Sequence, residues 1–228
     1  MQSNDAIVIT IDGPAGAGKS TVAKLLAKRL SFEFLDTGAM YRAVTLAVLR
    51  SGMSVTDTDA VSDVADKTDI KLSGNLVTLN GEDVTKEIRF PKVAAAIGLV
   101  ADNVGVRRLL TRLQREWTEG KRVVTEGRDQ GTEVFPDSPC KIFLSASPEV
   151  RAQRRQVELA DRGIEMSLED VLRQQEKRDE EDRSRPVGSL RIAEDAMEVS
   201  TDGLSLEMVV DKLEEVAKSR ISELGTEA

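Results

Sequence analysis

Eight residues near the start of the chain, Gly13-Pro14-Ala15-Gly16-Ala17-Gly18-Lys19-Ser20, constrain the fold more than any other stretch. They fit the pattern G-x-x-x-x-G-K-S/T, which carries meaning only between a strand and a helix. Both flanks are present. Ala6–Asp12 (AIVITID) is β-branched and nearly continuous in apolar residues, as suits a buried parallel strand. From Lys19 to Leu30, the residues Val22, Leu25, Leu26 and Leu30 recur on one helical face. Glycines let successive backbone N–H groups face one anion, and the helix start adds free donors and a positive dipole end. Lys19 supplies a mobile point charge for β- and γ-phosphates, and the Ser20 hydroxyl suits Mg²⁺ held with those phosphates. The pattern implies a nucleoside triphosphate site over Gly13–Thr21.

The rest of the chain alternates. Phe32–Asp36, Arg122–Glu126, Lys141–Leu144 and Met197–Ser200 read as strands. Ala39–Leu49, Asp57–Asp69, Pro91–Ala101 and Asn103–Glu119 read as helices. Ser147, followed by Pro148 and Glu149, starts a helix running to about Asp161; Ser167 caps another to about Arg183, and Ser205 caps a last one. Ile70–Val84 differs: short alternating runs break at Gly74-Asn75 and at Asn80-Gly81, a strong hairpin signal. Strands alternating with helices imply a parallel sheet covered on both faces, here with a small antiparallel insertion. The tail 225–228 is expected to fray.

Composition removes several function classes. With no histidine among 228 residues, His triads, His bases and His metal ligands are excluded. The single Cys140 forms neither an internal disulfide nor a thiolate cluster, which fits a reducing compartment. Aromatics are 3% and the net charge is −8, which argues against nucleic-acid and anionic-membrane partners. No apolar run reaches spanning length and the opening residues lack a secretory pattern, so a cytoplasmic protein is expected.

The phosphate loop does not by itself choose among its many owners. No N-K-x-D segment is present to read guanine, and no second acidic strand of the motor type. Arginines are dense late in the chain, at Arg151, Arg154, Arg155, Arg173, Arg178, Arg183 and Arg185. Arginine suits phosphates and stabilises charge on a transferring phosphoryl group, so a phosphotransferase with two anionic substrates fits.

At this point the residues carry a resemblance. IDGPAGAGKST (Ile11–Thr21), LDTGAMYR (Leu35–Arg42), GEDVTKEIR (Gly81–Arg89), VRRLL (Val106–Leu110), EGRDQGTEVFPDSPCKIFL (Glu126–Leu144) and KRDEEDRSR (Lys177–Arg185) together resemble the bacterial cytidylate kinases over nearly the whole chain. The resemblance implies an α/β P-loop NTPase fold with an adenylate-kinase-like core over 1–56 and 102–228. It also implies a monophosphate-binding insertion over 57–101 and a short lid near 155–163. The implied activity is transfer of the γ-phosphoryl group of ATP to CMP or dCMP, with Mg²⁺ accompanying ATP. A monomer is implied too.

Residue roles follow from the same resemblance. Arg42, Arg128 and Arg185 are assigned to the acceptor phosphate and Asp129 to the cytosine amino group; Arg107 approaches the base. Arg178 and Asp182 lie with Arg185 at i, i+4 and i+7 on one helical face and are assigned to the pentose and phosphate. Asp36 ends a strand where ligands gather, and reads either as an acceptor-side residue or as a helix cap. Arg151 and Arg155 at i, i+4 are candidate lid arginines for the transferring phosphoryl group, so the catalytic set is Lys19, Arg128, Arg151 and Arg155. Tyr41 and Trp117 read as packing residues. The family commonly has Asp where Glu126 stands, an aliphatic residue at Gln130, and Ser at Gly98. Two other readings stay open: a P-loop kinase for a different small acceptor, and a regulatory switch that hydrolyses ATP slowly.

Overall fold

The computed structural model describes residues 6–161 and 163–225. In chain order the elements are β1 (Ile7–Asp12), α1 (Lys19–Leu30), β2 (Glu33–Leu35), α2 (Thr37–Ser51), α3 (Thr58–Asp66), β3 (Ile70–Ser73), β4 (Leu76–Leu79) and β5 (Glu82–Asp83). They continue with α4 (Pro91–Asp102), α5 (Val104–Thr118), β6 (Arg122–Gly127), β7 (Cys140–Ser145), α6 (Pro148–Ala160), α7 (Leu168–Ser184), β8 (Met197–Ser200) and α8 (Leu206–Leu224). Two compact units result, Met1–Leu35 with Gly120–Ala228, and Asp36–Glu119.

The first unit is built on a five-stranded sheet in the order β2-β6-β1-β7-β8, with every pairing parallel. β1 is central and covered on both faces: Ile7, Ile9 and Ile11 are buried on one, Thr10 and Asp12 on the other. Ile9 and Ile11 pack with Val22 and Leu26 of α1, Ile142 and Leu144 of β7, and Val209 and Leu213 of α8. Apolar burial of this kind drives the unit together at about 25 cal/mol per Å². Parallel pairing also sets the chemistry. Asp12 lies opposite Gly127 on one side and Phe143 on the other, so the turns leaving β1, β6 and β7 emerge at one edge of the sheet.

The second unit packs α2 against the antiparallel sheet β3-β4-β5, with Ala43, Leu46, Val77, Leu79, Val84 and Ile88 as its core. Asn80 and Gly81 take positive φ (51° and 84°) between β4 and β5, as the Asn-Gly pair foretells. The Asn103 side chain caps α5 by accepting from Val106 N at 3.0 Å, and its amide donates to the Thr58 carbonyl at 2.8 Å. Trp117 is half-buried and donates Nε1–H to the Leu72 carbonyl at 3.4 Å.

Element boundaries differ from the sequence reading in small ways with local causes. α2 starts at Thr37 rather than Ala39, because the Asp36 carboxylate accepts from Ala39 N at 2.9 Å and opens the helix earlier. A single π turn at Gln130–Val134 was not anticipated. The expected lid segment is helical through Ala160; Ile164 N then bonds the Leu159 carbonyl at 3.0 Å around Gly163 at φ 73°. The expected fraying of 226–228 lies outside the described residues. Among the described residues no helix is long and apolar enough to cross a membrane.

Candidate active site

The phosphate loop leaves β1 through Gly13, which no other residue could replace without moving the backbone. Its φ is 149°, and a Cβ built there would lie 2.0 Å from the Leu144 carbonyl oxygen. α1 then begins at Gly18 (φ 91°) with no side chain capping its first amides. Contrast α6, α7 and α8, whose serines at 147, 167 and 205 accept from Val150, Asp170 and Met208 amides. The α1 start thus presents bare N–H groups and the positive dipole end to an anion.

Lys19 is 5% exposed and donates Nζ–H to the Pro14 carbonyl at 2.7 Å. Burial, reinforced by the Arg128 charge, lowers its pKa from 10.5 to about 7 against the pull of Glu126, Asp12 and Asp182. A phosphate arriving at this lysine supplies the counter-charge that burial denies it. Beside it, the Ser20 hydroxyl donates to Glu126 Oε1 at 2.7 Å. A hydroxyl and a carboxylate are both hard oxygen donors, which fits Mg²⁺. No group of three or more His, Cys, Asp or Glu forms a metal cluster among the described residues.

At the end of β6, Arg128 donates Nε–H to Asp182 at 2.7 Å and Nη1–H to the Gly127 carbonyl at 3.2 Å. Arg185 reaches the same carboxylate at 2.8 Å. Burial works against the ionised Asp182, but Arg128 and Arg185 outweigh it and hold its pKa below the usual carboxylate range. The same pairing keeps Arg128 firmly charged despite burial. Two arginines on one carboxylate leave net positive charge for an anionic ligand. Arg178, also expected here, adds its field at Asp182.

Sequence reasoning missed Asp12. Its carboxylate is 5% exposed and accepts from Gln130 N at 2.9 Å and Gly131 N at 2.7 Å. It thereby holds the π turn that follows Asp129, whose own carbonyl accepts from Glu133 and Val134 amides. Burial raises the Asp12 pKa from 3.8 to about 7; the two amides and Lys19 pull it down, and Asp129 adds to the rise. Its only sequence signal is a carboxylate ending an otherwise apolar strand.

Arg151 and Arg155 sit on α6 in contrasting settings. Arg155 is half-exposed and pairs with Glu158 at 2.9 Å. Arg151 is buried and fully engaged within the unit. Arg154, named among the late arginines but given no role, also lies near the loop: its Nη1 sits 3.9 Å from where a Cβ on Gly18 would be. It also donates to Thr201 Oγ1 at 2.9 Å.

The second unit places Asp36, Arg42 and Arg107 on its own helices. Asp36 caps α2 and lies 3.7 Å from Arg89 Nη2. Arg42 is half-buried on the same helix. Arg107, 4% exposed on α5, stacks over the Tyr41 ring at 5.6 Å and donates to Tyr41 Oη at 3.2 Å and the Ala101 carbonyl at 3.1 Å. Tyr41 therefore orients an arginine as well as packing. Gly98 is exposed on α4.

Comparison with known proteins shows the family. A family model described as cytidylate kinase matches residues 9–219. A cytidylate kinase of Rhodopirellula baltica is 51% identical over 207 residues, covering 91% of this chain and 90% of that protein. One of Caldanaerobacter subterraneus subsp. tengcongensis is 48% identical over 215 residues, covering 94% and 96%. The solved shikimate kinase of Bacteroides thetaiotaomicron shares the fold alone, at TM-score 0.50 and 17% identity over 93% of this chain and 98% of that one.

Proposed function

Since the chain belongs to the cytidylate kinase family, we propose that it phosphorylates CMP and dCMP with the γ-phosphoryl group of ATP, releasing CDP or dCDP and ADP. The observation that carries this is the presence, in one compact unit, of two separate anion-receiving groups. One is the uncapped loop with Lys19. The other is the cluster of Arg128, Asp182 and Arg185. A phosphotransferase needs both, one for each substrate.

On this reading the amides of Gly13–Thr21 and Lys19 take the ATP phosphates. Ser20 and, beside it, Glu126 would hold Mg²⁺, which would supply charge neutralisation. Arg128 and Arg185 clamp the acceptor phosphate, with Arg42 assigned to the same group by the family pattern. Asp129 accepts from the cytosine amino group, and Arg178 and Asp182 meet the pentose; the family pattern assigns Arg107 and Asp36 of the second unit to the acceptor as well. Arg155 and its neighbour Arg154 are the cations available to the transferring group on α6. No general base is required, because an acceptor phosphate oxygen is already an anionic nucleophile. Catalysis then reduces to alignment and charge neutralisation, which the absence of histidine does not impair.

An assay of ADP formation with CMP, dCMP, UMP, AMP and no acceptor tests the reading. ADP should appear rapidly only with an acceptor, and fastest with CMP or dCMP. A slow rate indifferent to the acceptor would instead support the regulatory switch, and a preference for an unrelated acceptor would support the other kinase reading.

A further inference from the structure

Arg151 spends its guanidinium on three partners. Nε donates to the Ala146 carbonyl at 3.1 Å, Nη1 to the Ala15 carbonyl at 3.1 Å, and Nη2 pairs with Asp179 at 2.7 Å. Both charged side chains are buried, at 4% and 2% exposure. Gln175, one turn before Asp179 on α7, donates Nε2–H to the Arg151 carbonyl at 3.2 Å. The loop is seated against this pair: a Cβ on Gly16 would lie 2.9 Å from Gln175 Nε2 and 3.1 Å from Arg151 Cβ.

We propose that Arg151 and Asp179 are positioning residues for the phosphate loop, fixing the Ala15–Gly16 peptide in the orientation that an anion needs. In a trans peptide the carbonyl and the following N–H point in opposite directions. Drawing the Ala15 carbonyl toward Arg151 therefore turns the Gly16 N–H to the opposite edge of the peptide, away from α6. Asp179 holds the guanidinium from the opposite end, so that Nη1 is aimed and not free to rotate. The inference rests on the reading of this loop as the ATP site.

Stability alone does not account for the pair. Buried ion pairs pay heavily for desolvation, and well-packed apolar replacements are often as stable or more so. The Asp179 Oδ1 atom is also buried with no hydrogen-bond partner, a further cost left uncompensated. What an apolar pair cannot supply is a directed donor to Ala15. On the same helix, three residues further on, Asp182 takes Arg128 and Arg185. α7 thus grips the ATP-side turn through one buried carboxylate and an acceptor-side arginine through the next.

The double variant Arg151→Met/Asp179→Leu removes both charges together and leaves no orphaned ion, so it should fold with an unchanged or higher Tm. Its KM for ATP should rise about tenfold, the weight of one charged hydrogen bond, while KM for CMP stays within about twofold. Asp179→Asn, which keeps the shape and one acceptor, should raise KM for ATP by a smaller factor, and it serves if the double variant fails to fold. Two results overturn the proposal: a folded variant with wild-type KM for ATP, or equal rises for ATP and CMP. Lys19→Met, run in parallel, separates this from the larger reading. It should lower turnover by at least about 10²-fold through loss of electrostatic stabilisation. Normal turnover in Lys19→Met would instead remove the loop from catalysis altogether.

Discussion

On the proposed function, Asp129 is the residue assigned to base selection. Cytosine presents an amino group at the position where uracil presents a carbonyl oxygen, and an ionised carboxylate accepts from the first and repels the second. Asp129 is 6% exposed and ends at a π turn held by Asp12, so its side chain has little freedom to swing aside. Asp129→Asn keeps the volume and lets an NH₂ face a carbonyl. The ratio of kcat/KM for CMP to that for UMP should narrow by roughly 1–3 kcal/mol, the scale of one good base contact. Measured on both substrates, an equal fall would make Asp129 structural and pass base reading to Arg107. The arginine cluster was legible in part: helical spacing put Arg178, Asp182 and Arg185 on one face, while Arg128 was assigned to the acceptor only through the resemblance. Asp12 was not, because its partners Gln130 and Gly131 lie 118 and 119 residues away. The setting of Arg151 was hidden for the same reason, its partner Ala15 being 136 residues distant.

At the scale of elements, legibility followed how local the cause was. Caps at Asp57, Ser147, Ser167 and Ser205 each bond an amide three residues on, and all four open the helices their sequence announced. The β3-β4-β5 sheet was readable from its two turns. The π turn was unreadable because its amides are held by another strand's carboxylate, not by their neighbours. α4 offers a direct test of local propensity against context. Gly98 is exposed inside this helix, and a Cβ there would meet nothing within 4 Å. Gly98→Ala should therefore stabilise the protein by about 0.5–1 kcal/mol, the helix-propensity difference between these residues. Urea unfolding measures it. A destabilised variant would mean that α4 needs glycine's backbone freedom at this point.

Across the whole molecule, two buried groups, Asp12 and Lys19, shift furthest toward neutral pH. Asp12 carries a pKa of about 7 in the folded chain, against an ordinary 3.8. Between those values the folded state holds a proton that the unfolded chain has released, so this group's contribution to stability declines as pH rises from about 4 to 7. Lys19 runs the other way. Its pKa drops from 10.5 to about 7, the unfolded chain binds the extra proton between those values, and stability rises with pH over that range. Each group is bounded by about 1.4 kcal/mol per pH unit. Two amide donors favour ionised Asp12 while burial opposes it, and the competition decides the sign of its slope. Asp12→Asn removes the titration and keeps the shape. With burial dominant, the stability difference between wild type and this variant should move against wild type by on the order of 1–2 kcal/mol as pH rises from 5 to 7. It should stay level from 8 to 9, where Lys19 governs both proteins alike. Urea unfolding at each pH gives the comparison. A difference that stayed level across the same interval would mean that the Gln130 and Gly131 amides outweigh burial, leaving Asp12 ionised well below neutrality.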